Sequence, residues 1–374
     1  MAPTSRRRFL AAAGITSLAG CSGSGIQEEV VPAEGTPAGT AGADGGGSSE
    51  PAVPTADEQL PLPGTPESLR NAAQSGGPPK DGIPSIDDPK FIAPEEVDFL
   101  DPGDPVFGVV RDGTAKAYPQ KILAQHEIVN DELAGDPVSV TYCPLTGTVQ
   151  GFQRGDTTFG VSGRLINNNL VMYDRATETW WPQLLATSIP GPWNEDPPIA
   201  SLREFRLIWT TWEAWRTEHP ETAVLSTKTG YARNYGRDPY GSYNPRGGYY
   251  ASDSLLFPAL NTDDRFEKKR IVMGARTPDG AAAFLKDTLR EAKLVAGTIG
   301  DEPVLAVYDP RYDTAFAYRN PEDRTFEYDD GDVVDAEGDG SVYDPDKLPL
   351  SRIHTFDAMW FAWVGYYPET NVYA

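Results

Sequence analysis

Apolar positions between residues 105 and 174 recur in short runs, mostly with a period of two, and the runs break at turn residues. Residues 105–118 predict two short strands joined at Asp112-Gly113, a dipeptide that accepts the positive φ angles of a tight hairpin. Residues 121–133 have helical spacing, with Ile122, His126, Val129 and Leu133 on one face. Residues 137–142 are apolar and β-branched and predict a strand, which runs into the turn Cys143-Pro144-Leu145-Thr146-Gly147. Further strands fit 149–152, 158–161 and 170–173, and a short helix fits 211–218, with Pro220 just past its end. The pattern is that of a strand-rich α+β fold.

The pattern also recurs. The segment from Trp212 to Val224 aligns without gaps to that from Trp360 to Val372, with seven of thirteen positions identical. Asp136-Pro-Val-Ser-Val-Thr-Tyr-Cys-Pro144 matches Glu302-Pro-Val-Leu-Ala-Val-Tyr-Asp-Pro310, and residues 108–113 resemble 274–280 with one insertion. Three matches in the same order predict two pseudo-symmetric repeats, about 105–227 and 269–374, packed into one globular domain spanning 86–374. Residues 228–268 connect them and are dense in Tyr, Gly and Arg. The comparison separates packing from chemistry. The Trp-x-x-Trp helix and the Pro-Glu-Thr turn occur twice, as structural devices would. Cys143 becomes Asp309 in the second copy, and His126 has no histidine counterpart, so a single active site is expected in the first half.

The first residues predict a destination. Ser5-Arg6-Arg7-Arg8-Phe9-Leu10 fits a twin-arginine export signal, followed by an apolar run too short to span a bilayer. Leu18-Ala19-Gly20 precedes Cys21 as in a lipobox, so residues 1–21 read as a signal and Cys21 as the lipidated residue. The expected location is the outer face of the cytoplasmic membrane. Residues 22–85 are rich in Gly, Pro, Ser and Glu, with few large apolar groups, and read as a flexible stalk.

Charge narrows the partners. The leader carries +3 and residues 22–80 carry −6, so residues 81–374 hold −20 of the net −23. With 10 lysines against 22 arginines, the surface is of the acidic, lysine-poor kind suited to high salt, where dense ions screen self-repulsion. Nucleic acid is excluded as a partner, because phosphate binding needs a basic face. If Cys21 is lipidated, Cys143 has no disulfide partner in the chain.

His126-Glu-Ile-Val-Asn-Asp131, Thr141-Tyr-Cys-Pro-Leu-Thr-Gly-Thr148, Phe159-Gly-Val-Ser-Gly163, Met172-Tyr-Asp-Arg175 and Trp212-x-x-Trp215 together resemble the family known as domain of unknown function 3179. The resemblance covers about residues 95–374. It implies no activity. It places Asn167, Asp174 and Gln183 in the family's signature region, as candidate ligand-binding residues. Many members have a second cysteine in the turn where this chain has Thr146, which weakens a dithiol reading.

Cys143 sits where an apolar strand meets a turn, a place where a thiol serves as nucleophile, redox group or metal ligand; the alternative is a small buried hydrophobe. His126 is the candidate base or co-ligand, against the alternative of a hydrogen-bonded core histidine. A copper or similar transition-metal site from His126, Cys143 and His354 is conceivable, though the spacing gives it no support. Asp335-x-Glu337-x-Asp339-Gly340 partly fits a calcium loop, and a solvated acidic loop is the simpler reading. The stretch 231–250, which contains Arg237 and Tyr240, is polar and aromatic together and could bind a ligand such as a sugar. Beside a structural surface protein with no small ligand, two functions follow. One is a thiol- or metal-dependent, redox-type protein acting through Cys143 and His126. The other is a non-catalytic surface protein binding a small-molecule or protein partner between its halves, through Arg237, Tyr240 and the connector.

Overall fold

A computed structural model describes residues 52–374 except 337 and 339. The export signal, Cys21 and part of the acidic loop lie outside the described residues. The described chain is strand-rich, at 40% strand against 13% helix, with five short α-helices.

The Asp112-Gly113 hairpin forms as its sequence dictates. Strand Pro105–Arg111 pairs with Thr114–Pro119, and Asp112 and Gly113 take φ of 48° and 77°. These strands sit in a sheet ordered Ile208–Thr211, Pro105–Arg111, Thr114–Pro119, Ala223–Leu225 and Phe91–Ile92. Its first two pairings are antiparallel, and Ala223–Leu225 adds parallel to Thr114–Pro119. A sheet in the C-terminal part of the chain has the order Thr355–Met359, Ile271–Thr277, Gly280–Leu285 and Asn371–Tyr373, again antiparallel twice and then parallel. Beside each lies an antiparallel sheet. One is ordered Glu204–Phe205, Thr148–Gln153, Asp136–Cys143, Ile128–Leu133, and the other Leu294–Ile299, Glu302–Asp309, Thr314–Arg319, Arg352–Ile353.

Helix α1 is Pro66–Ala72, α2 Gln120–His126, α3 Trp212–Glu218, α4 Lys286–Ala292 and α5 Trp360–Tyr366. Each of α3 and α5 presents its second tryptophan to a glycine on the adjacent sheet. A Cβ on Gly108 would stand 2.2 Å from the Trp215 ring, and one on Gly274 would stand 2.1 Å from Trp363. Only glycine permits that approach. The threonine of each Pro-Glu-Thr turn accepts the indole N–H: Trp215 Nε1 to Thr222 Oγ1 and Trp363 Nε1 to Thr370 Oγ1, both at 3.0 Å. Burying these two indoles with their N–H groups satisfied secures both helices.

Two expectations are corrected. The helix over 121–133 ends at His126, and Ile128–Leu133 is a strand. Glu127 turns the chain with φ of 60°, and the β-branched pair Ile128-Val129 favours extension. Val129 and Leu133, spaced by four, share a face in a strand as well as in a helix. The described part of the segment expected to be a stalk, 52–85, also packs on the fold. Val53 and Leu69 are buried, Leu60 and Leu62 pack against core clusters, and Gln74–Ser75 pairs with the strand Phe159–Ile166. Isolated leucines and valines in a Pro/Gly-rich segment carry no periodicity, so their anchoring role is invisible to composition.

Candidate functional site

Helix α2 and the strand Asp136–Cys143 deliver His126 and Cys143 to separate surroundings. His126 is fully buried. Its Nδ1 lies 2.7 Å from the Pro84 carbonyl, which can only accept, so Nδ1 carries the proton. Nε2 then accepts from the Tyr235 hydroxyl at 2.6 Å, and that phenol oxygen lies 2.6 Å from Thr229 Oγ1. Burial pushes the His126 pKa down. The result is a neutral imidazole of fixed tautomer with both nitrogens engaged, a core histidine.

Cys143 is 1% exposed and its Sγ points at the Asn168 carbonyl, 3.5 Å away. Burial, reinforced by the negative charge of nearby Glu127, pushes the thiol up to about 11. A reactive or metal-binding thiol needs the opposite environment, electropositive and partly open. The conceivable third ligand, His354, lies instead 3.5 Å from Glu204. Among the described residues no group of three His, Cys, Asp or Glu side chains is placed to hold a metal ion. Asp335 and Asp346, at the ends of the suggested calcium loop, bond Arg324 and Arg311 at 2.5 and 2.9 Å.

The neighbour of Cys143 is Glu127, which the sequence shows only as part of the motif that begins at His126. Its carboxyl is buried, and burial alone raises its pKa to about 8. Tyr240 and Tyr249 of the connector pack against the Cys143 cluster as half-buried rings, and the Tyr249 hydroxyl donates to the Leu145 carbonyl at 2.8 Å. The Cys143 turn is therefore roofed by the connector.

The signature residues Asn167, Asp174 and Gln183 are each at most 1% exposed. Asn167 donates to the Ala362 carbonyl and accepts from Leu260 N–H, tying α5 and the connector to the first half. Asp174 accepts from Thr177 N–H and Trp181 Nε1. Gln183 accepts from Thr148 Oγ1 and donates to Thr141 Oγ1. Their role is to join loops. Arg237 is exposed, and its carbonyl faces Gln125 Nε2.

An open concavity lies elsewhere. A cleft of about 520 Å³ is walled by Trp209–Thr211 of the first half, by Tyr243 and Arg246 of the connector, and by the Pro310–Asp313 turn of the second half. Arg237 and Tyr240 do not line it; the connector reaches it through the hairpin Gly241–Tyr243/Arg246–Gly248. Its aromatic surface is Trp209, Tyr243 and Tyr312. Its rim is charged but mostly neutralised. Lys286 bonds Asp357, Arg270 bonds Asp287 and Arg290 bonds Asp313, each at 2.6 Å, and Arg311 bonds Asp309 at 2.7 Å. Among the described residues Arg246 has no carboxylate partner; it reaches only the Lys269 carbonyl, at 3.4 Å.

The sequence carries one signal for this cleft. The turn aligned with Cys143-Pro-Leu-Thr-Gly147 is Asp309-Pro-Arg-Tyr-Asp313, where three of five side chains are charged and one is aromatic. Both turns close the same register, Cys143 opposite Thr148 and Asp309 opposite Thr314. One is roofed and apolar, and the other is open and polar.

No curated protein and no solved structure shows a significant match to the chain. The signature of the family described as protein of unknown function DUF3179 matches residues 80–370, and the chain belongs to that family.

Proposed function

We propose that this is a non-catalytic ligand-binding protein, exported by the twin-arginine route and held at the outer face of the membrane by lipid on Cys21. Its binding site is the cleft between two pseudo-symmetric halves and their connector. The observation that carries the reading is the composition of the cleft: an aromatic surface with a hydrogen-bonding, largely charge-neutral rim, in a chain of net charge −23. Polar organic ligands are held in such sites by ring contact and a few placed polar groups. The duplicated sheet order and the two Gly–Trp contacts support the repeat, and the acidic, lysine-poor composition supports a high-salt setting. The thiol or metal reading through Cys143 and His126 is disfavoured by the raised thiol pKa and by the engaged imidazole.

The test is thermal denaturation in high salt with a panel of small sugars, polyols and aromatic acids, wild type beside Trp209→Ala. A compound at about one hundred times its Kd should add about 2.7 kcal/mol of stability to the wild type. Compounds that stabilise both proteins equally, or none that stabilises the wild type, would count against the cleft. For the anchor, Cys21→Ser should move the protein from the membrane fraction to the medium. Retention of that variant in the membrane would refute lipidation at Cys21.

A further inference from the structure

The cleft has a covered counterpart. From the first hairpin to the Cys143 turn, the aligned residues of the two halves differ by 166 in number, and their local geometry agrees. Glu127 and Lys293 each follow a seven-residue helix with positive φ, 60° and 67°, and each N–H reaches back to a leucine carbonyl, Leu123 and Leu289. The Glu127 and Lys293 carbonyls accept from Tyr142 N–H and Tyr308 N–H. By that alignment Lys286 and Arg311 of the cleft correspond to Gln120 and Leu145.

In the first half this face is filled by the connector. Gln120 Nε2 donates to Asp238 Oδ2 at 2.6 Å, and the Tyr250 hydroxyl donates to the same carboxylate oxygen at 2.5 Å. Tyr250 is buried, and its ring stacks on Tyr243 at 3.9 Å. The other side of the arrangement is the cleft, where Tyr243 meets Trp209 edge-on at 5.0 Å. A carboxylate beside a phenol ring thus occupies the covered face, and the chain itself supplies both.

We infer that the open cleft takes a ligand of the same chemistry, a carboxylate next to an aromatic ring. This rests on the cleft being the binding site. The ring has Trp209, Tyr243 and Tyr312 to pack on. The carboxylate has Arg246, the cleft cation whose guanidinium no carboxylate of the described chain occupies. A charge-assisted bond to that guanidinium gives selectivity over a neutral isostere.

The experiment is isothermal titration of the full-length protein in high salt with 4-hydroxyphenylacetate, with its amide and with a neutral disaccharide. The inference predicts that the acid binds about tenfold tighter than the amide, about 1.4 kcal/mol. It also predicts that Arg246→Ala weakens the acid about tenfold more than the amide, so that the difference between them is lost. Equal affinity for acid and amide overturns the inference and leaves the cleft reading standing if Trp209→Ala weakens both. Binding of the disaccharide alone does the same. Heat from none of the three overturns the inference, and the thermal panel with Trp209→Ala then decides the cleft by itself.

Discussion

Tyr243 of the connector stands edge-on to Trp209 of the first half, with ring centroids 5.0 Å apart. The same ring stacks on Tyr250 at 3.9 Å, so it touches both the residues that roof the first half and a wall of the open cleft. Removing it strips contacts from both neighbours. Tyr243→Ala should cost about 3 kcal/mol, within the range for truncating a packed aromatic. Chemical denaturation reads it. A loss under about 1 kcal/mol would mean that the ring is not part of the packed wall.

Cys143 should be inert in the folded protein. Its thiol is buried and pushed up to about 11, so almost none is thiolate near neutrality. A disulfide reagent at pH 8 should label it only after denaturation, and Cys143→Ala should leave ligand binding unchanged. Rapid stoichiometric labelling of the native protein would restore the case for a working thiol.

Buried groups tie stability to pH in opposite directions. Glu127 has a folded pKa raised to about 8 from 4.5, so the fold holds its proton where the unfolded chain releases it. Its contribution therefore worsens as pH rises from 4.5 to 8, by on the order of 3–5 kcal/mol. Glu127→Gln should be more stable than wild type at pH 9 and close to it near pH 4.5. On the acid side, burial lowers His126, and lowers His354 from 6.5 to about 4. The stability they bring is full above the unfolded value and is lost as pH falls through that window. Melting curves of wild type, Glu127→Gln and His354→Gln from pH 4 to 9 check both limbs. A Glu127→Gln difference that stays constant with pH would contradict the buried, protonated carboxyl.

Gly108 and Gly274 should tolerate no side chain. A Cβ at either position would meet its tryptophan ring within about 2.2 Å, so each alanine variant must push an indole out of its place. Gly108→Ala and Gly274→Ala should each cost about 2–4 kcal/mol or prevent folding, a range extended from the usual cost of overpacking. Nearly wild-type stability in either would mean that its helix is not seated on the glycine.

Much of the fold was legible because it rests on local signals. Asp112-Gly113 demands a hairpin, and Thr211 caps α3 by accepting Ala214 N–H, just where the Trp-x-x-Trp pattern begins. The segment after His126 is ambiguous in sequence because a spacing of four satisfies both periods. The anchoring of 52–85 is hidden because its contacts lie far away in sequence, as in the pairing of Gln74 with Leu165. The site was the least legible part. Cys143 and His126 draw notice by residue type, yet their partners, the Asn168 and Pro84 carbonyls, are backbone atoms that no motif displays. The cleft is assembled from Trp209, Arg246 and Tyr312, which belong to three segments that only the tertiary fold brings together.

The most direct measurement is hydrogen exchange of the amides with and without the best-binding compound of the thermal panel. The account predicts new protection at 209–211, 243–246 and 310–313, with the Cys143 turn unchanged. Protection centred on residues 143–147 and 126–128, with the cleft segments unaffected, would contradict it and return the function to the first-half thiol.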